Sequence, residues 1–180
     1  FVSEIINDRY DHEEYLVQTT PGIRLVVPNQ IDHNRLLNFH TGYWTGYDNG
    51  TATIWTPITE AYDSNTMQVT DWDTSRELMQ EIHDQEWSLD KIQSECEKVS
   101  YPIEVKVGES WLFSQGHLHG NVNNTTGKSR MSFDIRITHK GINFGRRRPG
   151  SFYREPFNYN NLTENKIDRD KKWVVFTSPN

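Results

Sequence analysis

The sequence predicts an all-β-dominated fold, a double-sheet β-sandwich of jelly-roll type, with one helical insertion around residues 74–99. Three observations carry this. Short runs of β-branched and alternating residues recur along the chain and are closed by Pro, Gly or Asn. One long stretch, TSRELMQEIHDQEWSLDKIQSECEKV, has few β-branched residues and spaces Leu78, Ile82 and Trp87 at near-helical intervals. The strand pattern then returns, for at least seven strands in all, which suits two packed sheets.

In chain order, GIRLVVPNQ (22–30) reads as a strand stopped by Pro28, and RLLNFH (35–40) as a second. TATIWTPIT (51–59) alternates small polar with apolar residues, and NTMQVTDW (65–72) is a fourth strand. Asp73 or Thr74 is placed to cap the helical insertion, and SLDK (88–91) predicts a break and a second short helix. IEVKV (103–107), a turn at Gly108 and SWLFS (110–114) resume the strands. RMSFDIRITHK (130–140) is the clearest: Met131, Phe133, Ile135 and Ile137 alternate with Ser132, Asp134, Arg136 and Thr138. One face is therefore apolar and the other polar and chemically capable. The tail from 141 to 180 is polar and rich in Asn and Arg, with KKWVVFTSP near its end expected as a docked strand.

A length of 180 residues suits a single domain over 1–180 that needs no disulfide staples. Cys96 is the only cysteine, which excludes an internal disulfide and a thiolate zinc cluster and is compatible with a reducing, cytoplasmic setting. FVSEIINDRY does not read as a secretory leader, and no run approaches the ~20 apolar residues that span a bilayer. The net charge of −6 argues against nucleic acid as a partner. A small molecule is the expected partner, and the aromatic-plus-polar stretch GYWTGYD suits the wall of its pocket.

Two stretches carry candidate chemistry. NFHTGYWTG (38–46) contains His40, and SQGHLHGNVNNTTGKSRMSFDIR (114–136) contains His117 and His119, a polar turn, then Arg130 and Ser132. Two histidines and one carboxylate form the usual iron-binding triad of non-haem oxygenases. A hairpin after His119 would fold the next strand back and bring Arg130 and Ser132 near it. Arg130 can grip a carboxylate with two parallel bonds, and Ser132, two residues on, can add a hydroxyl to the same group. His117 and His119 would share a face at a strand end, so both could approach a metal. His12 and Glu14 formally match H-x-E, but lie in a polar segment ahead of the first convincing strands. His83 and His139 are expected at the surface.

Arg130 follows His119 by eleven residues and opens an R-x-S. With Phe39-His40, Trp55-Thr56-Pro57-Ile58-Thr59, His119-Gly120-Asn121, Asn124 to Gly127 and Arg130 to Arg136, the chain resembles the Fe(II)/2-oxoglutarate-dependent oxygenase superfamily. Within it, the chain is most similar to the phytanoyl-CoA hydroxylase-like branch and to small streptomycin-biosynthesis-type oxygenases. The resemblance covers about residues 36–137 and implies a double-stranded β-helix (cupin-like jelly roll). It also implies Fe(II) on His40 and His119, 2-oxoglutarate held by Arg130 and Ser132, and oxidation of an aliphatic carbon in a small polar metabolite. Trp44, Tyr47, Arg146 and Arg147 are the candidate walls or lid over the substrate.

The departure is at Gly42, where the family's carboxylate ligand would fall. In the superfamily, Gly or Ala at that position resembles the halogenases, with chloride in the vacated coordination position. A carboxylate and a halide cannot share one position on the metal. Three other readings stay open: a carboxylate from elsewhere, with Asp48, Asp71 or Asp73 as alternates; a non-catalytic metabolite- or sugar-binding jelly roll; and a His40 that is only a hydrogen-bonded strand residue. A cupin-type metalloenzyme without 2-oxoglutarate would need a third ligand beside His117 and His119.

Overall fold

The computed structural model describes residues 15–29 and 38–155. Its strands are β1 (Tyr15–Gln18), β2 (Gly22–Val26), β3 (Thr51–Pro57), β4 (Gln68–Val69), β5 (Tyr101–Pro102), β6 (Trp111–Ser114), β7 (His119–Gly120), β8 (Arg130–His139) and β9 (Tyr153–Arg154). Two helices, α1 (Trp72–Asp84) and α2 (Leu89–Val99), lie between β4 and β5. His12 with Glu14, the first half of the expected strand at 35–40 and the expected strand in KKWVVFTSP lie outside the described residues.

All pairings between these strands are antiparallel. The larger sheet has the order β6-β3-β8-β1-β9, with β2 also paired to β8, and the smaller has the order β5-β4-β7. β8 is the spine of the larger sheet. Its first half borders β2, its second half borders β1, and β3 runs along its other edge. Directly opposed residues share a face, so Arg24 stands beside Ser132, Trp55 beside Asp134, and Thr53 beside Arg136. The predicted alternation of β8 holds, but the side turned most fully inward at its start is the polar one. Arg130 and Ser132 are 1% and 0% exposed.

The two sheets meet through Trp55 and Phe113 on one side and Met67, Val69, Ile103 and Val105 on the other. The expected strand at 103–107 is not formed. Ile103 and Val105 are buried there by a loop whose Ile103 N–H donates to Met67 O at 3.1 Å. The expected strand at 65–72 shrinks to β4 because Asp71 starts a helix: its carboxylate accepts from the Thr74 N–H at 2.9 Å. The cap is thus Asp71 rather than Asp73 or Thr74, and α1 begins before residue 74. The break at 88 is formed as expected, with Ser88 capping α2 through the Lys91 N–H.

The helices form a third layer. Ile92 and Cys96 of α2, with Leu78, Met79 and Ile82 of α1 packed against them, cover Phe39 and Leu118. These two residues immediately precede His40 and His119. Successive strand residues point to opposite faces, so the helices grip the backs of the two segments whose fronts carry histidine. Polar contacts fix the same segments. Gln93 of α2 accepts from the Phe39 N–H at 3.0 Å and donates to Asn121 O at 3.3 Å. Ser75 of α1 accepts from the Leu118 N–H at 3.1 Å and donates to Asp71 O at 2.7 Å. No helix among the described residues is long and apolar enough to cross a membrane.

Ser75→Ala leaves the buried Leu118 N–H without its acceptor. We expect a loss of about 1–3 kcal/mol in denaturant unfolding, the usual penalty of an orphaned buried donor. A Ser75→Ala protein as stable as wild type would mean that α1 does not anchor the His119 segment.

Candidate metal and anion site

His40 and His119 face each other as an isolated antiparallel bridge. Each donates its backbone N–H to the other's carbonyl, His40 to His119 at 3.0 Å and His119 to His40 at 3.1 Å. Their ring centroids are 4.4 Å apart. Such close backbone approach depends on Gly120, where a Cβ would lie 2.8 Å from both Phe39 Cα and Phe39 N. The glycine following His119 therefore has a steric reason.

Both rings are oriented by main-chain carbonyls. His40 Nδ1 lies 2.8 Å from Asn38 O, and His119 Nδ1 lies 2.8 Å from His117 O. A carbonyl only accepts, so each Nδ1 carries the proton and each Nε2 keeps its lone pair. This is the tautomer and orientation of a metal-ligating histidine. Burial favours the neutral, ligating form: it pushes His40 below its ordinary value. It pushes the fully enclosed His119 down to about 3, helped by the neighbouring His40.

The rings border a cavity of about 50 Å³ whose charged lining is Arg24, Arg130, Asp134 and Arg136. Arg130 reaches it from β8. Its Nη1 donates to Ser132 Oγ at 3.1 Å and its Nη2 to Asn121 Oδ1 at 2.7 Å. Trp55 lies under the guanidinium, 5.3 Å from ring centroid to Cζ. Arg130 Nε is buried with no hydrogen-bond partner. Burial, with Arg24 nearby, lowers the Arg130 pKa to about 10. Its two fixed partners are neutral, so among the described residues a buried cation stands here without a counterion. That arrangement is costly unless an anion completes it.

The Arg130–His119 juxtaposition does not come from a hairpin. β7 pairs with β4 in the smaller sheet, whereas β8 belongs to the larger one. The connection crosses between sheets, and Arg130 meets the histidines across the gap. Asn124 organises that crossing: its side chain accepts from Thr126 N at 3.1 Å and donates to Lys128 O at 2.8 Å. Gly127 takes the left-handed backbone, φ 75°, that reverses the chain.

His117 does not join the pair. Residues 115–117 form a turn, closed by His117 N–H to Ser114 O at 3.3 Å, so the expected shared face with His119 is lost. The His117 ring bonds Ser114 Oγ at 3.0 Å, packs on Trp72 at 5.4 Å, and borders a different cavity. Only its carbonyl serves His119. The alternate carboxylates are also elsewhere: Asp71 caps α1, Asp73 is an exposed partner of Arg76, and Asp48 accepts from Gly50 N–H at 3.2 Å in its own turn. Among the described residues, no cluster of three His, Cys, Asp or Glu side chains is placed to hold a metal.

Gly42 is not beside empty space. A Cβ there would fall 1.8 Å from Gln115 Oε1 and 2.7 Å from Gln115 Cδ. Its φ of −63° is open to any residue, so space and not backbone freedom explains the glycine. Gln115 is 1% exposed, and its Nε2 donates to Thr53 Oγ1 at 2.8 Å. The space beside residue 42 is thus occupied by a neutral carboxamide.

Of the candidate lid residues, Tyr47 and Arg147 are joined to the cavity wall through Arg136. Tyr47 is sandwiched by Arg136, 4.9 Å from its centroid, and Arg147, at 3.9 Å. Arg147 also donates to Thr45 O at 2.7 Å and Gly46 O at 3.1 Å, tying the late loop to the loop after Gly42. Trp44 and Arg146 are exposed. Sequence reasoning missed Arg24, Asn121, Gln115 and the roles of Asp134 and Arg136. The inward polar face of β8 was the one signal for the last two.

No family model and no curated protein matches the chain. Among solved structures it is similar to the nickel complex of ThoJ, a non-heme monooxygenase, at 15% identity and a TM-score of 0.47, over 70% of this chain and 45% of that one. It is similar to SnoK, a non-heme alpha ketoglutarate dependent carbocyclase from nogalamycin biosynthesis, at 13% identity and a TM-score of 0.45, over 75% and 56%. AviO1 from Streptomyces viridochromogenes Tue57 gives 13% identity and a TM-score of 0.46, over 71% and 53%. The chain spans about half the length of these structures. The functional reading rests on the side chains described above and not on this likeness.

The contact between residues 42 and 115 sets an expectation. Gly42→Ala should cost about 1–3 kcal/mol through overpacking. Combined with Gln115→Ala, it should cost less than the two single changes added together. Additive losses in denaturant unfolding would show that Gln115 does not limit residue 42.

Proposed function

We propose that this chain carries the active site of an Fe(II)- and 2-oxoglutarate-dependent oxygenase on a double-stranded β-helix scaffold, acting on an aliphatic carbon of a small polar metabolite. One observation carries the reading. Two imidazoles with their Nδ1 protons fixed present free Nε2 atoms to the same cavity that holds a buried arginine without a counterion. Imidazole nitrogens suit iron. The Arg130 guanidinium, with its orphaned Nε and the Ser132 hydroxyl beside it, suits a carboxylate. When bound, the metal and its keto-acid co-substrate would supply the oxidising chemistry.

In this reading each side chain has a task. His40 and His119 hold the metal, and the Asn38 and His117 carbonyls hold their rings. Arg130 and Ser132 anchor the far carboxylate of the co-substrate, while Asn121 and Trp55 fix the guanidinium. Tyr47 and Arg147 narrow the mouth and limit water. His40 and His119 would then be the two ligands that the described residues supply, with the co-substrate and water or halide completing the site. The Gln115 amide at the Gly42 position adds no charge of its own, so halogenation stands beside hydroxylation as an outcome. Turnover with and without chloride, read by mass spectrometry, separates them. A non-catalytic binding protein would bind a metabolite with no iron-dependent consumption of 2-oxoglutarate. The cupin-type alternative loses its third ligand, because the His117 ring borders another cavity.

Arg130→Ala should weaken 2-oxoglutarate binding by about 2–5 kcal/mol, roughly thirtyfold or more, with metal affinity retained. Anaerobic titration of Fe(II)-loaded protein, following the charge-transfer band of the metal–co-substrate pair, measures this. Normal binding by Arg130→Ala would sink the co-substrate assignment.

The histidines give a second test. His119→Ala should lower metal affinity far more than His117→Ala, because only the backbone of His117 serves the site. Metal titration under nitrogen with both variants decides, and equal losses would bring His117 back as a ligand.

A further inference from the structure

We propose that the same cavity holds a second anion subsite, formed by Arg136 with Arg24 beside it, and that the substrate enters with a carboxylate or phosphate group bound there. The proposal rests on the reading of Arg130 as the co-substrate's anchor and concerns what Arg130 cannot reach. Arg130 and Arg136 lie on one face of β8, six residues apart. At 3.2–3.4 Å per residue, their backbones are about 20 Å apart. Their surroundings differ accordingly. The charged neighbour of Arg130 is Arg24, whereas Arg136 lies among Tyr47, Tyr153, Arg147 and Arg24. Arg136 lines the same cavity as the two imidazoles and stands opposite Thr53, away from the Arg24–Ser132 pair. A carboxylate anchored on Arg130 therefore cannot also sit on Arg136.

Charge makes the same point. The cavity is lined by three arginines and one carboxylate. The walls therefore carry two positive charges in excess, inside a chain of net charge −6. A divalent metal and a dianionic co-substrate cancel each other, so loading the site leaves that excess in place. Asp134 pairs with Nη1 of Arg136 and meets part of it. Arg136 Nε remains buried with no partner. Arg24, opposite Ser132, is partly desolvated with no opposing charge among the described residues. Tyr47 lies against the guanidinium of Arg136, 4.9 Å from ring centroid to Cζ. A small oxyanion can take the free edge of Arg136 and the charge of Arg24 together, which would place the carbon chain it belongs to beside His40 and His119.

The test uses the full chain loaded anaerobically with Fe(II) and 2-oxoglutarate. It is titrated by calorimetry with propionate and with methyl phosphate, each at constant ionic strength. One-to-one saturable binding is expected, weakened tenfold or more by Arg136→Gln with 2-oxoglutarate affinity unchanged, and weakened also by Arg24→Gln. The tighter of the two probes names the substrate's anionic group. Arg136→Lys, which keeps the charge, should retain part of the affinity and serves if Arg136→Gln does not fold. The proposal is overturned if neither probe saturates, if both Arg136→Gln and Arg24→Gln bind like wild type, or if 2-oxoglutarate competes for the same single site. Should wild type bind no 2-oxoglutarate, the oxygenase reading fails on its own, and the same titrations on metal-free protein still decide the subsite.

Discussion

The reciprocal pair of backbone hydrogen bonds between His40 and His119 is the constraint on which the site depends. Two residues that exchange both N–H···O bonds in an antiparallel pair stand directly opposite, with side chains on one face. That fixes two imidazoles 4.4 Å apart without any side-chain contact between the strands being needed. The bridge is short, so its support comes from elsewhere. Gly120 lets Phe39 approach, and Gln93 and Ser75 hold the neighbouring amides and carbonyl. The helical insertion is therefore part of the site's construction. Its apolar side packs the backs of the two segments whose fronts carry the histidines.

The second constraint is electrostatic. A protein of net charge −6 has gathered Arg24, Arg130 and Arg136 around one cavity with only Asp134 to oppose them. A carboxylate beside Arg130 would have made the fold easier to stabilise and the cavity unable to take an anion. Neutral partners do something different: Ser132 and Asn121 orient the guanidinium while leaving its charge uncompensated. Pre-organised, unpaired charge of this kind costs stability in the free protein and is recovered on binding.

How much of this was legible in the sequence follows from the range of the interactions. Local pattern gave β8, its alternation and the two-helix insertion, because side-chain period and capping are written within a few residues. The resemblance singled out His40, His119, Arg130 and Ser132, which the fold does gather around one cavity or its wall. What failed was non-local. Whether His117 shares a face with His119 depends on a turn at 115–117, and whether Arg130 returns by a hairpin depends on which sheet takes β7. Arg24 belongs to the cavity only through its register against Ser132. The strand expected at 103–107 has the right alternation but no partner to make a ladder, so its apolar residues are buried from a loop.

Gly42 shows the same limit and changes the chemical argument. In the sequence it is an absence, and an absence at a ligand position suggests room. In the fold, the room belongs to Gln115, a residue no local pattern connects with position 42. The exchange is one of charge more than of volume, because a carboxamide fills the space but brings no negative charge. In the proposed site a divalent metal on two neutral histidines would keep its full charge, facing walls that are already cationic. Every ligand that completes it would then be drawn from the anions of the medium or the substrates. The electrostatics that make Arg130 wait for a carboxylate would thus extend to the metal itself. The glycine is then the steric condition for a neutral neighbour, and in the proposed site that neutral neighbour and the excess of arginine both favour the entry of anions.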